Sequence, residues 1–197
     1  MKEVPENTGR RKFLTATTAV VGGIGAIATA VPFIKSWNPS EKAKAAGAPI
    51  KVDISKIEPG QLLVVEWRGK PVWIVNRTQA VLDELNTHNK QLRDPNSEKP
   101  QQPQYAQNTY RAIKKEFFIA IGLCTHLGCS PTYIENDFSK YIKGIDFGFF
   151  CPCHGSKFDM SGRVFVNVPA PLNLEIPPYQ YIDNNTIIIG IDEEGAA

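Results

Sequence analysis

Four cysteines and three histidines are the chain's whole supply of soft metal ligands, and they are not scattered. All four cysteines and two of the histidines fall in two short segments, Cys124-Thr-His-Leu-Gly-Cys129 and Cys151-Pro-Cys-His-Gly-Ser156. A Cys-x-His paired with a Cys-x-x-His offers two thiolates and two imidazoles: Cys124, His126, Cys151 and His154. Such a set has two obvious uses. It can close a tetrahedral structural zinc site, or it can hold a [2Fe–2S] centre with cysteines on one iron and histidines on the other. The surplus cysteines favour iron, because a zinc site has no use for them. Cys129 and Cys153 sit beside the ligands, one per loop, placed to bridge the loops, and a bridge there needs an oxidising compartment.

Imidazoles in place of two thiolates remove two negative charges and make electron uptake easier. Each imidazole also keeps a second ring nitrogen. Oxidised iron lowers that nitrogen's proton affinity and reduced iron raises it, so electron and proton uptake are coupled. The third histidine, His88, lies in a polar stretch and is expected to be a solvated surface residue.

The elements that must carry these loops read as strands. Leu62–Trp67 and the run 70–75 flank a turn at Arg68-Gly69 and form a hairpin pattern. The apolar run 116–123 leads straight into Cys124; 145–150 leads into Cys151, and 163–166 follows the second loop. A last hairpin joins 179–183 to 186–191 through Asn184-Asn185. One helix is expected over 78–85. The Pro- and Gln-rich stretch 86–111 is expected to be a surface insertion with little regular structure. Fifteen Pro and 15 Gly fit a loop-rich, mainly β body, and a net charge of +2 is too small to argue for nucleic acid.

Before the head comes an anchor. Residues 13–34 carry no charged side chain and at about 1.5 Å per residue span roughly 33 Å, enough for a hydrocarbon core. Signal h-regions are usually shorter, although Ala28-Thr29-Ala30 has the small-residue pattern of a cleavage site ending at Ala30. Lys2, Arg10, Arg11 and Lys12 precede the span, but Lys35, Lys42, Lys44 and Lys51 follow it, so charge bias barely decides orientation. The segment Arg10-Arg11-Lys12-Phe13-Leu14 resembles a twin-arginine export signal, a route for folded proteins. The expected order is a cytoplasmic tail 1–12, a transmembrane helix 13–34, a flexible tether 35–49 and a head 50–197, its ligand-bearing subdomain about 122–166.

The double motif C-T-H-L-G-C and C-P-C-H-G-S resembles the cluster loops of Rieske proteins from cytochrome bc-type complexes. The similarity extends to Gly162-Arg163, to the proline segment 169–174 (Pro-Ala-Pro-Leu-Asn-Leu), and to anchor and tether; only 86–111 falls outside the minimal pattern. The resemblance implies an antiparallel β-sandwich head with a small cluster-binding subdomain. It implies Cys124 and Cys151 on a buried iron, His126 and His154 on an outer iron, and a disulfide between Cys129 and Cys153. Ser156 matches the position whose hydroxyl bonds a bridging sulfur. Leu127 and Gly128 match the docking tip, and His154 matches the ligand that meets quinol. Implied partners are cytochrome b and a cytochrome c1-type subunit in a dimeric complex at a bacterial inner membrane, with the head on the periplasmic side. One departure stands out. Phe158 occupies a position where many members carry a cluster-facing Tyr, so a hydrogen bond is missing and a lower potential is expected.

Two rivals share the loops. An oxygenase component needs a second iron on two histidines and a carboxylate, and once His126 and His154 are used only His88 remains. The small Rieske subunit of a periplasmic oxidase, such as arsenite oxidase, is closer, but the anchor and the proline segment favour the quinol complex.

Overall fold

The computed structural model describes residues 7–192, 195 and 196, and residues 1–6 of the expected tail lie outside the described residues. Two compact units emerge, Met1–Ala45 and Ala46–Ala197.

In the first unit α1 runs from Thr8 to Ser36, 29 residues, extending past both ends of the expected 13–34 span. Asn7 explains the early start: its side chain accepts the Arg10 amide at 3.1 Å and caps the first turn. The hydroxyls of Thr15 and Thr29 donate to the carbonyls of Arg11 and Gly25 at 2.8 Å, so these two polar groups are satisfied within the helix. Phe13, Val20, Ile24 and Ile27 are all exposed, and an 18-residue window has a mean hydropathy of 1.7. The helix is long and apolar enough to cross a membrane. Within the expected tether, Glu41–Gly47 forms a short helix α2, opened by the Ser40 hydroxyl accepting the Ala43 amide at 3.2 Å.

The head begins with β1 (Ile50–Asp53), β2 (Leu62–Trp67), β3 (Lys70–Asn76) and α3 (Gln79–Glu84). It continues through β4 (Phe117–Ile121), β5 (Thr132–Ile134), β6 (Gly148–Phe150), β7 (Lys157–Phe158), β8 (Tyr179–Tyr181) and β9 (Thr186–Ile189). Three antiparallel sheets result, ordered β2-β3-β4, β1-β9-β8 and β5-β6-β7. The expected hairpin at Arg68-Gly69 forms with both residues left-handed, φ 53° and 71°, as a two-residue turn between twisted strands requires. β3 is the central strand of its sheet, and its run Val72–Val75 is wholly buried.

Val52 of β1 and Ile187 and Ile189 of β9 share one core with Val72, Ile74 and Phe118 of the β2-β3-β4 sheet. The head is therefore a mainly β, sandwich-type body. The third sheet joins the same core through Phe149, which stacks on Trp73 at 4.9 Å between ring centroids. Gly122 marks where β4 turns toward the first loop; a Cβ there would come within 2.3 Å of the Trp73 ring.

The sequence expectations need correcting in three places. Of 145–150 only β6 is strand, and Ile145 instead fills a small second core with Leu92, Phe138 and Phe165. The segment 163–166 forms only isolated bridges, Val164 to Phe158 and Phe165 to Leu92. The stretch 86–111 has just two single-turn 3-10 helices, yet it is no surface appendage. His88, Leu92, Ser97, Ala106 and Arg111 are all buried. His88, expected in solvent, is 3% exposed, because its ring stacks on Phe165 and its Nε2 lies 3.2 Å from Asp159 Oδ2.

Candidate metal centre

β4 delivers the chain into the first loop and β6 into the second, and the two loops close identically. The Cys124 amide donates to the Cys129 carbonyl at 2.7 Å, and the Gly128 amide to the Cys124 carbonyl at 2.9 Å. In the second loop the Cys151 amide donates to the Ser156 carbonyl at 2.8 Å, and the Gly155 amide to the Cys151 carbonyl at 2.9 Å. Each turn is completed by a left-handed glycine, Gly128 at φ 80° and Gly155 at φ 75°.

Aligned on this backbone, the side chains fall out of step. His126 is two residues after its cysteine and His154 three after its own, so the position of His154 corresponds to Leu127. The offset still brings the two imidazoles together, with centroids 4.7 Å apart and planes at 89°. Cys129 and Cys153 form a disulfide with Cα atoms 6.7 Å apart, tying the end of the first loop to the middle of the second. Cys124 and Cys151 stay as free thiols, 3% and 1% exposed. Burial, opposed in part by the Cys153 amide, and then the neighbouring Cys124 thiol push the Cys151 thiol above its ordinary value. The sulfurs of Cys129, Cys151 and Cys153 also cluster within 4.8 Å, but the disulfide removes two of them as ligands.

Burial grades outward across the site. Cys124 and Cys151 are buried, His126 is partly covered, and His154 is exposed, as is Leu127 at 71%. His126 Nδ1 is buried with no hydrogen-bond partner, a costly state for an imidazole nitrogen unless another ligand takes it. Two free buried thiols, an orphaned imidazole nitrogen and a second imidazole beside it fit a metal centre of two sulfur and two nitrogen ligands.

The proline segment covers both loops. The Thr125 hydroxyl donates to the Leu172 carbonyl at 2.6 Å, and the Ala170 amide to Ser156 Oγ at 3.0 Å. Ser156 is fully buried, and with its oxygen accepting from Ala170 its proton remains for an acceptor inside the site. Phe158 is fully buried too and, having no hydroxyl, donates nothing.

Beneath the second loop lies a polar hub that the sequence analysis missed. Arg77, Arg111 and Arg163 are all buried around the turn 159–163. Arg77 donates to the Met160 carbonyl and Ser161 Oγ, and Arg111 to the carbonyls of Ser161, Gly162 and Leu174. Burial lowers the two guanidinium groups, to about 10 for Arg77 and about 9 for Arg111, although Asp159 opposes the shift. Burial alone would raise Asp159, but Arg163 and His88 overcome it and hold the carboxyl at about 2.

The chain is similar in sequence to known proteins. Residues 51–178 match the family described as "Rieske [2Fe-2S] domain", and residues 1–40 match "Ubiquitinol-cytochrome C reductase Fe-S subunit TAT signal". The ubiquinol-cytochrome c reductase iron-sulfur subunit of Allochromatium vinosum is 55% identical over 192 residues, covering 96% of this chain and 92% of that one. Its counterpart in Bradyrhizobium diazoefficiens is 41% identical over 182 residues, 92% of this chain and 94% of the relative. A solved chain described as "Hyperthermophilic respiratory Complex III" aligns at 27% identity over 89% of this chain and 98% of its own, with a TM-score of 0.48.

Proposed function

The chain belongs to the family of ubiquinol–cytochrome c reductase Rieske iron–sulfur subunits, and from that premise we propose that Cys124, His126, Cys151 and His154 hold its [2Fe–2S] cluster. Its place is that of the electron-transfer subunit of a quinol:cytochrome c oxidoreductase, a cytochrome bc-type complex. The apolar α1 and the export-signal match fit a membrane-anchored subunit.

One observation carries the ligand assignment: the two loops that hold the buried free thiols of Cys124 and Cys151 bring their imidazoles to 4.7 Å of each other, one with an orphaned Nδ1. Cys124 and Cys151 serve the inner iron because both are buried, and His126 and His154 the outer iron because they lie toward solvent. When bound, such a cluster supplies a one-electron acceptor at roughly −150 to +300 mV, against about −400 mV for all-cysteine plant-type centres.

The residues around it do the rest. His154, exposed, would hold the cluster through one ring nitrogen and offer the other to quinol, able to accept the hydroxyl proton when the bound cluster supplies the one-electron acceptor. Leu127 and Gly128 form the apolar tip that seats the head at the quinol site of cytochrome b; Leu127 leaves most of its surface for that contact. The disulfide and the proline segment keep water from the inner thiols. Ser156, buried with its Oγ accepting from Ala170, would have its proton free to donate to the cluster. The tether lets the head move between cytochrome b and a c1-type haem, the head lying on the periplasmic side in a dimeric complex. The chain alone turns over nothing.

Labelling histidine with ¹⁵N tests the assignment in the assembled complex. Electron–nuclear double resonance should resolve two strongly coupled nitrogens from His126 and His154 and none from His88. One such nitrogen, or none, contradicts the ligand set.

A further inference from the structure

We propose that His88 is a positioning residue for the metal centre: through Asp159 it fixes the 159–163 turn on which the proline segment, and with it both ligand loops, is seated. The inference rests on the ligand assignment above and deepens it.

The argument is a chain of hydrogen bonds. Asp159 closes its own turn, since Oδ1 accepts the amides of Ser161 at 2.9 Å and Arg163 at 2.8 Å, and Oδ2 accepts Arg163 Nε at 2.7 Å. The remaining partner of Oδ2 is His88 Nε2 at 3.2 Å. A carboxylate only accepts, so Nε2 must carry the proton, and Nδ1 faces the Thr87 hydroxyl at 3.4 Å. The ring is thus tied to the buried carboxylate through Nε2, while the Thr87 hydroxyl gives its own proton to the Glu84 carbonyl at 2.8 Å. The stack on Phe165, 5.6 Å between centroids at 28°, fixes its plane.

From the turn the bonds lead to the ligand loops. The Gly162 carbonyl accepts the Leu174 amide at 2.8 Å, and the Val164 amide donates to Asn173 Oδ1 at 2.9 Å. These two bonds set the end of the proline segment. Its middle meets both loops, Leu172 taking the Thr125 hydroxyl and Ala170 giving its amide to Ser156 Oγ. Every link is a hydrogen bond or one to three residues of backbone. Hydrogen bonds to ionised groups are the stronger kind, and leaving a buried one unmade is costly. The stretch 86–111 therefore acts as the far abutment of the ligand loops rather than as an elaboration of the surface.

Two variants of the full chain in its complex separate hydrogen bonding from packing. His88→Phe keeps an aromatic ring on Phe165 but cannot donate to Asp159; His88→Gln returns an N–H donor without the ring. Redox titration followed by EPR should show His88→Phe with a lower midpoint and altered g-values, because one donor fewer offsets the Asp159 charge and the turn relaxes. His88→Gln should restore both. If His88→Phe fails to retain a cluster while His88→Gln does so at the wild-type midpoint, the donor is again what matters. Wild-type midpoint and g-values in His88→Phe overturn the proposal, as does a His88→Gln variant that is displaced or depleted as much as His88→Phe. The underlying ligand assignment fails by a different sign: no Rieske-type signal in the wild type, or a signal that survives Cys124→Ser.

Discussion

Between Cys124 and Cys129, and again between Cys151 and Ser156, the chain closes the same turn with the same two backbone hydrogen bonds and a left-handed glycine at the same place. What differs is which positions carry chemistry. The first loop spends its third residue on His126, a proposed ligand, and leaves Leu127 at the apex. The second puts Cys153 there, for the disulfide, and raises His154 to the position Leu127 holds in the first. The result is one imidazole with a covered, orphaned nitrogen and one that is exposed. A repeated backbone places Cys124 and Cys151, the proposed inner ligands, alike, and a one-residue slip makes the two histidines unequal. That inequality is what a centre needs if one histidine is to meet quinol.

The sharpest way to break the comparison is at its equivalent inner positions. Cys124→Ser and Cys151→Ser should each abolish the EPR signal and quinol oxidation in isolated membranes; a signal remaining in either would mean the loops are not equivalent. Next comes the tie between them. Cys129→Ser opens a bridge spanning a sequence separation of 24 and should cost about 3–4 kcal/mol of head stability by denaturant unfolding. Cluster loss should then be faster under dithionite cycling.

Subtler changes sharpen the likeness. A Cβ on Gly128 or on Gly155 would meet nothing within 4 Å, so alanine there costs only the left-handed backbone. Each substitution should lower stability by about 1–2 kcal/mol, and by the same amount in both loops. Unequal losses would show that the two turns are not equivalent in their surroundings. The smallest effect concerns Phe158. Restoring a hydroxyl with Phe158→Tyr should raise the midpoint by about 1 kcal/mol, roughly 40 mV for one electron. An unchanged midpoint would remove the hydroxyl as the reason for a lowered potential.

The site was far more legible than its support. Ligand loops are local: six residues hold the cysteine, the histidine and the glycine that the turn needs, so composition and spacing exposed them. The 62–75 hairpin was equally local, its two strands meeting across Arg68-Gly69. His88 was misjudged because its partner, Asp159, lies 71 residues further along. A polar stretch without period looks solvated until a distant carboxylate gives its histidine a reason to be buried. Arg111 was hidden in the same way, since its acceptors are the carbonyls of Ser161, Gly162 and Leu174. Strand lengths failed where side chains mattered more than ladders: Ile145 and Phe165 are held by the small core they share, not by a sheet.

The central claim is a cluster on two histidines, one of them open to exchange a proton with quinol. Redox titration of the EPR signal in the intact complex, repeated across pH, tests it most directly. A high midpoint that falls as pH rises, with the slope altered in a His154 variant that keeps its cluster, is the result expected. A low midpoint indifferent to pH would contradict it and leave the chain a simple electron carrier.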